Sequence, residues 1–209
     1  MQKIKNIIFD LGGVIINLDM AATRNAFIGL GIKNFDSIYS QAVQSGIFDQ
    51  FDKGQITPHE FRNELRKHIP GTVTDAQIDA AWNAMLMDIP KEKLELLSRL
   101  KKKYRLFLLS NTNVIHVKNF SAELQRVYGT PDFSAYFEQW YYSCNIGMRK
   151  PDAEIFHHVL RENNLVAAET LFIDDSIQHI RGAGQSGIQT LFLEKGSALA
   201  EELTRLGLD

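Results

Sequence analysis

The first apolar run of the chain ends at an aspartate, Asp10, which Gly12 and Gly13 follow closely. Glycines allow a ligand to approach the backbone. In an open α/β sheet, ligands bind just outside the carboxyl ends of the strands. Asp10 is therefore a candidate catalytic group, although an Asp-Gly turn that merely ends a strand has the same composition.

Hydroxyl and amide side chains follow the second apolar run, at Ser110, Asn111, Thr112 and Asn113. With the backbone N–H groups of the following turn, such side chains can hold an anion. The same residue types are the usual caps of helices, and both roles can hold at once. We expect Ser110 and Asn111 to bind substrate.

A lysine and two adjacent carboxylates complete the set of candidate groups. Lys150 stands before Pro151, which restricts it to an extended backbone and so gives a phosphate-neutralising cation a defined position. The alternative is a solvated lysine. Asp174 and Asp175 follow the third apolar run and repel each other unless a cation or a lysine compensates. Helix N-terminal acidity explains this pair equally well when it is taken alone.

Together these segments predict hydrolysis of a phosphate ester. Asp10 would attack phosphorus and form an aspartyl-phosphate, which water then hydrolyses. Ser110, Lys150 and neighbouring amides would hold the phosphoryl oxygens, so the predicted catalytic residues are Asp10, Ser110 and Lys150. Mg²⁺ prefers carboxylate and other oxygen ligands, and we expect it to be bound by Asp10, the Gly12 carbonyl, Asp174 and Asp175.

The elements that must position these residues alternate between strands and helices. Apolar runs too continuous for half-exposed strands predict buried parallel strands at Ile4–Phe9, Arg105–Leu109, Thr170–Ile173 and Gln189–Leu193. Amphipathic patterns predict helices at Lys91–Lys103, Asp152–Asn163 and Gln178–Ser186. The expected fold class is α/β, with a parallel sheet and right-handed crossovers.

One long segment breaks this alternation. Residues 17–88 are helical in pattern, carry no convincing strand and follow the Asp10 loop directly. We therefore predict a core of residues 1–16 and 89–209 and an all-helical cap of residues 17–88. Such a cap would hang over the site and exclude water. The alternative is a set of helices packed at the side.

Composition limits the classes of function. The 209 residues carry a net charge of −2 and no long basic run, which argues against nucleic-acid or membrane-surface binding. The single cysteine, Cys144, fits a reducing compartment. Without a secretory signal pattern or a run long enough to span a bilayer, we expect a cytoplasmic protein that acts on a small phosphorylated molecule.

The four polar segments resemble, in order and position, the four motifs of the haloacid dehalogenase-like (HAD) superfamily. The resemblance covers essentially the whole chain and implies a Rossmann-like core with a helical cap inserted after the first motif. It implies that Asp10 is the nucleophile, Ser110 the second-motif hydroxyl, Lys150 the third-motif lysine, and Asp174 and Asp175 the fourth-motif acids. A closer similarity is to bacterial glucose-1-phosphate phosphatases, through the segments Phe9–Gly12, Ser110–Asn113, Gly147–Pro151 and Asp174–Asp175. It implies a sugar-phosphate substrate.

One position departs from the family pattern. Most phosphatases of the superfamily carry a second aspartate two residues after the nucleophile, as general acid and base, and here that position is Gly12. General acid catalysis is worth about 10²–10⁴-fold. A good leaving group assisted by water is the explanation we favour. A cap residue such as Asp19 or a bound water supplying the proton, and a slow or inactive protein, are the alternatives.

Two other functions stay open. A dehalogenase of the superfamily would use Asp10 to attack carbon without a metal, but the carboxylate pair suits a cation. A non-catalytic protein that binds a phosphorylated ligand gains little support, because all the charged motif positions are filled.

Four further features are ambiguous. The segment Asp49–Glu60 mimics part of a calcium loop, but Phe51 and Lys53 cannot supply its carboxylates, so we interpret Thr57 as the start of a helix. The aromatic residues of 133–141 fit core packing. His116 follows Asn113 and could face the site, but we favour a solvated or capping role. For Arg149, both phosphate binding and pairing with an acid stay open.

Overall fold

A five-stranded parallel sheet carries the candidate site, with the order β3-β2-β1-β4-β5. The computed structural model describes residues 3–33, 35, 36, 39 and 46–208. The strands are β1 (Asn6–Phe9), β2 (Arg105–Ser110), β3 (Gln139–Tyr142), β4 (Thr170–Asp174) and β5 (Gln189–Phe192). β1 lies at the centre and pairs with β2 and β4.

The α/β class and the parallel sheet are confirmed, with two corrections. β3 was not among the predicted strands, because its residues are aromatic rather than continuously apolar and we assigned them to core packing. Trp140, Tyr141 and Tyr142 are nevertheless strong β formers, and this is the signal that could have revealed the strand. β5 is not a fully buried strand, since it lies at the opposite edge and Thr190 and Phe192 are exposed.

Helices connect the strands and cover both faces of the sheet. They are α1 (Met20–Gly29), α2 (Ile47–Asp52), α3 (Pro58–Arg66), α4 (Asp75–Asn83), α5 (Lys91–Leu100), α6 (Val114–Tyr128), α7 (Ser143–Ile146), α8 (Ala153–Glu162), α9 (Ile177–Gln185) and α10 (Leu199–Arg205), with a short 3₁₀ turn at Ala167–Glu169. The three predicted helices correspond to α5, α8 and α9. Among the described residues, no helix is long and apolar enough to cross a membrane.

Alternate residues of β1 face opposite sides of the sheet, as the period of a strand requires. Ile7 and Phe9 belong to the apolar cluster on one face, with Leu97 and Leu203. Ile8 belongs to the cluster on the other face, with α8 and α9 packed over it. Because helices cover both faces of the sheet, the central strand is fully buried. A ligand can therefore reach Asp10, which follows this strand, only from the carboxyl edge of the sheet.

The helices between β1 and α5 pack around an apolar cluster of their own, rich in aromatic residues. The Phe51 and Phe61 rings stack with centroids 4.1 Å apart, and Phe61 also contacts Trp82, at 5.2 Å. Residues 34, 37, 38 and 40–45 of the predicted cap lie outside the described residues. Residues 17–88 as a separate cap therefore stay a prediction.

Local sequence fixes two of these helices. Thr57 caps α3 through its hydroxyl and Glu60 reaches back to the Thr57 backbone, which confirms the predicted helix start. Thr74 and Gln77 form the same capping box at α4. Leu18 and Leu86, near the two ends of the segment 17–88, form an isolated antiparallel bridge. The described residues of this segment otherwise contain almost no β structure.

The turn after α2 packs closely against α7 of the core at Gly54. Gly54 has a φ of +65°, and a Cβ there would overlap the carbonyl oxygen of Cys144 in α7. Gly71 has a φ of +82° with open space around it. The two glycines thus share a left-handed backbone and differ in what a methyl group would meet.

We expect Gly54→Ala to destabilise the protein more than Gly71→Ala. Both substitutions force alanine into the left-handed region, at about 1–2 kcal/mol, and Gly54→Ala adds a clash worth roughly another 1–3 kcal/mol. Urea unfolding of the two variants and the parent measures the difference. Equal losses of unfolding free energy would contradict the close approach of α2 to α7.

Candidate active site

Polar residues from adjacent strands meet at the carboxyl edge of the sheet. Asp10 follows β1 directly, Ser110 ends β2 and Asp174 ends β4. β1 lies in parallel register with both neighbours, with Phe9 opposite Leu108 on one side and Ile173 on the other. The adjacent strand ends therefore bring these three predicted residues together, and all three are buried.

Lys150 joins two of the carboxylates. Its Nζ lies 2.7 Å from Oδ1 of Asp10 and 2.7 Å from Oδ2 of Asp174, and the lysine is completely buried. The predicted alternative of a solvated lysine is therefore excluded. A buried ammonium group needs such partners, because an unpaired charge in the interior is costly.

Asn111 fixes the lysine loop through both ends of its amide. Its Oδ1 accepts a hydrogen bond from the Lys150 backbone N–H at 2.9 Å, and its Nδ2 donates to the Lys150 carbonyl at 2.8 Å. The side chain that we expected to bind substrate thus positions the cation. Asn111 also lines the cavity described below, and substrate binding by it stays a prediction.

The three charges influence one another's protonation. Burial raises the pKa of Asp10 to about 7, although the Lys150 ammonium acts in the opposite direction. Burial also opposes ionisation of Asp174, but Lys150 and His179 outweigh it and lower the pKa of that carboxyl. Burial opposes the charge on Lys150 too, and the two carboxylates overcome it and raise its pKa.

The second carboxylate has additional partners from α9. Oδ1 of Asp174 accepts a hydrogen bond from the Ser176 N–H at 2.7 Å, and Nδ1 of His179 lies 3.0 Å from the same carboxylate. His179 was not among the predicted site residues. Its position in the first turn of the helix that follows the carboxylate pair was the available signal.

A third carboxylate lies in the same place and gives a donor set that fits a hard cation. Asp10, Asp174 and Asp175 each offer an oxygen within 4.8 Å of the others. Gly13 has a φ of +74°, and a Cβ there would overlap the Asp175 carboxylate, so only glycine allows this approach. Three carboxylates against one lysine leave the excess of negative charge and the oxygen ligands that Mg²⁺ requires. Coordination by the Gly12 carbonyl stays a prediction.

A cavity of about 340 Å³ opens beside this cluster. The core contributes Leu11, Gly12, Ser110 and the residues that follow it, and the inserted helices contribute apolar and acidic side chains, among them Phe48, Asp49, Asp52, Trp82 and Met85. A small substrate bound here would touch both parts of the chain. The core and the inserted helices therefore line this cavity together.

Three uncertain residues can now be placed. His116 is buried and lines the cavity, so the favoured solvated role is wrong; its Nδ1 lies 2.9 Å from Oδ1 of Asn83, and burial lowers its pKa to about 4. Arg149 pairs with Asp49 and also lines the cavity, so the predicted pairing with an acid is observed and phosphate binding stays a prediction. Asp19 is the N-cap of α1 and accepts a hydrogen bond from the Ala21 N–H.

Comparisons with known proteins agree with this geometry. The family model described as haloacid dehalogenase-like hydrolase matches residues 4–187. D-ribitol-5-phosphate phosphatase from Bacteroides thetaiotaomicron is 33% identical over 206 residues, which cover 96% of this chain and 97% of that protein.

Solved structures of HAD family proteins are also similar to this chain. A HAD family enzyme from Bacteroides thetaiotaomicron, in complex with magnesium and inorganic phosphate, is 41% identical with a TM-score of 0.87, covering 95% of this chain and 98% of that one. A predicted HAD-like family hydrolase from Porphyromonas gingivalis is 31% identical with a TM-score of 0.87, covering 99% and 98% of the two chains. The chain belongs to the haloacid dehalogenase-like hydrolase family.

Proposed function

We propose that this protein is a Mg²⁺-dependent phosphatase that hydrolyses a small phosphate monoester through an aspartyl-phosphate on Asp10. The observation that carries the proposal is the cluster of three carboxylates around one buried lysine at the carboxyl edge of the sheet. The comparisons support it, since D-ribitol-5-phosphate phosphatase is a relative and a similar HAD family enzyme was crystallised with magnesium and inorganic phosphate.

Each residue has a distinct role in the proposed reaction. The Asp10 carboxylate attacks phosphorus as the ester bond breaks, and Lys150 keeps that carboxylate oriented and offsets the charge that gathers on the phosphoryl oxygens. The Ser110 hydroxyl and the amides of the following turn hold those oxygens. Asp10, the Gly12 carbonyl, Asp174 and Asp175 would hold Mg²⁺, which would further neutralise the charge of the phosphate. Water then cleaves the phosphoryl–aspartate bond and frees Asp10.

The size and lining of the cavity support a small substrate. A volume of about 340 Å³ suits a sugar or polyol phosphate. Glucose 1-phosphate is one member of this class, and an anomeric oxygen would leave easily despite Gly12. We further propose that residues 17–88 act as a cap over this cavity and that the protein is cytoplasmic.

The carboxylate cluster also argues against dehalogenation. Attack on carbon needs no cation, and a third carboxylate beside the nucleophile would only add repulsion. Removal of metal separates the two reactions. A phosphatase of this kind stops in EDTA and recovers with Mg²⁺, whereas a dehalogenase continues to work.

We expect Asp10→Asn to abolish phosphate release. The amide is a poor nucleophile, so kcat should fall by roughly 10⁴- to 10⁶-fold, with sugar phosphates and Mg²⁺ as the assay. Glu95→Asn, on the outer surface of α5, is the control and should leave kcat unchanged. Turnover by Asp10→Asn at the parent rate would exclude an aspartyl-phosphate.

We expect Lys150→Met to lower the free energy of unfolding by about 3–5 kcal/mol, because it leaves two buried carboxylates without their shared cation. Mg²⁺ should restore part of this loss by binding the same oxygens. Lys5→Met removes a surface ion pair with Glu169 and should cost at most about 1 kcal/mol. Denaturant unfolding with Mg²⁺ and with EDTA measures both effects, and equal losses for the two variants would contradict the buried network.

A further inference from the structure

The position of the missing acid cannot readily be filled by a neighbour on the same loop. A Cβ at Gly12 would lie 2.9 Å from Cδ1 of Leu18, so the space beside the nucleophile loop is taken by an apolar side chain. Asp19 holds the first turn of α1 with its carboxylate and is exposed. A side chain that gives the leaving group its proton must therefore lie elsewhere around the cavity.

Asp52, at the end of α2, lines that cavity. Its Oδ1 accepts a hydrogen bond from Nδ2 of Asn113 at 3.2 Å, and its Oδ2 makes no hydrogen bond to the described residues. Asn113 lies three residues after Ser110, and Ser110 and Gly12 line the same cavity. One carboxyl oxygen is thus fixed and the other is available to a bound molecule.

Among Asp52 and three titratable groups near it, only Asp52 has a pKa at which it can give up and take back a proton near neutral pH. Burial raises the pKa of Asp52 to about 6. Tyr39 lines the cavity too, and burial followed by the Asp52 charge raises its pKa above the ordinary phenol value. Burial and the same charge raise the pKa of Cys144 to about 11. His116 is neutral, since burial lowers its pKa to about 4, so none of these three competes near neutral pH.

The remaining charges near Asp52 are committed to other partners. Asp49, on the same helix, pairs with Arg149. Lys53 extends to Asp152, with its Nζ 3.3 Å from that carboxylate. No cation among the described residues forms an ion pair with Asp52, which is why burial dominates its protonation.

We propose that Asp52, from the inserted helices, is the general acid and base of the reaction, in place of the side chain that Gly12 lacks. This inference rests on the proposed function. As Asp10 forms its bond to phosphorus and the ester P–O bond breaks, the Asp52 carboxyl gives its proton to the leaving oxygen. The released alcohol is neutral and Asp52 becomes a carboxylate. That carboxylate then takes a proton from the water that attacks phosphorus, which frees phosphate, regenerates the Asp10 carboxylate and restores the Asp52 carboxyl.

The leaving group distinguishes this role from a structural one. Asp52→Asn can keep the hydrogen bond from Asn113 but has no proton to give. With D-ribitol 5-phosphate, whose alkoxide leaves poorly, kcat/KM should fall by about 10²–10⁴-fold. With p-nitrophenyl phosphate, whose phenolate leaves without a proton, it should fall less than about 10-fold, because general acid catalysis contributes little there.

The pH profile provides a second readout. A general acid must be protonated in the free enzyme, whereas both substrates need the ionised Asp10 carboxylate, so the ratio of alkyl to aryl kcat/KM of the parent should decline as pH rises through about 6. In Asp52→Asn this ratio should not change with pH.

The control is Asp79→Asn in α4. It makes the same substitution within the inserted helices and breaks the ion pair with Arg62, yet lies outside the cavity lining. Its ratio of alkyl to aryl activity should equal that of the parent. An equal fall on both substrates for Asp52→Asn, or no fall on either, would overturn the inference.

Two further outcomes are decisive. If the parent releases phosphate from neither substrate with Mg²⁺, the proposed function fails and the inference fails with it. If Asp52→Asn does not fold, a series of alkyl and aryl phosphates on the parent decides: a shallow dependence of kcat/KM on leaving-group basicity supports an internal acid, and a steep one overturns it.

Stability gives an independent prediction. Because the folded pKa of Asp52 is about 6 against an ordinary value of 3.8, its contribution to stability is full below pH 4 and is lost as pH rises through 6. The melting temperature of Asp52→Asn relative to the parent should therefore rise between pH 4 and 7. A variant that merely lost a structural contact would melt lower by the same amount at every pH.

Discussion

A single buried ammonium group, that of Lys150, makes the rest of the site possible. Carboxylates at the ends of adjacent strands repel each other, and the low dielectric of the interior strengthens the repulsion and the cost of each charge. The lysine lies 2.7 Å from both Asp10 and Asp174 and offsets that repulsion. It does not remove it, since Asp175 adds a third carboxylate. The remaining negative charge is what a divalent cation would neutralise.

The rigidity of the sheet fixes this arrangement. β1 is hydrogen-bonded on both sides, so Asp10 and Asp174 are held in register by backbone rather than by a mobile loop. Asn111 then ties the Lys150 backbone to the end of β2. A nucleophile and its counter-charge held in this way need little reorganisation during reaction, which is the main source of electrostatic catalysis.

The sequence could predict the charged residues of this edge because the argument is local. A strand that ends in an aspartate places that carboxylate at the ligand-binding edge, whatever the rest of the chain does. β3 was missed because its residues are aromatic rather than continuously apolar and were assigned to core packing. Asp52 was missed as a site residue, and for His116 a solvated or capping role was preferred to one facing the site, because both positions depend on how distant helices pack. In the sequence, Asp52 belongs to a segment that resembles a broken calcium loop, and His116 follows a cap residue without any periodic signal.

The contacts that hold the inserted helices on the core are also the contacts that shape the cavity. Asn113 caps α6 and donates to Asp52, and the His116 ring stacks on Trp82 with centroids 5.1 Å apart. A displacement of α2 away from α6 would break the Asn113 bond and withdraw the Asp52 carboxyl together. With the proposed role of Asp52, proton delivery would then exist only while the helices cover the site and exclude water. This coupling gives a physical reason why the nucleophile loop can carry glycine at position 12: the acid belongs to the part of the chain that closes over the substrate.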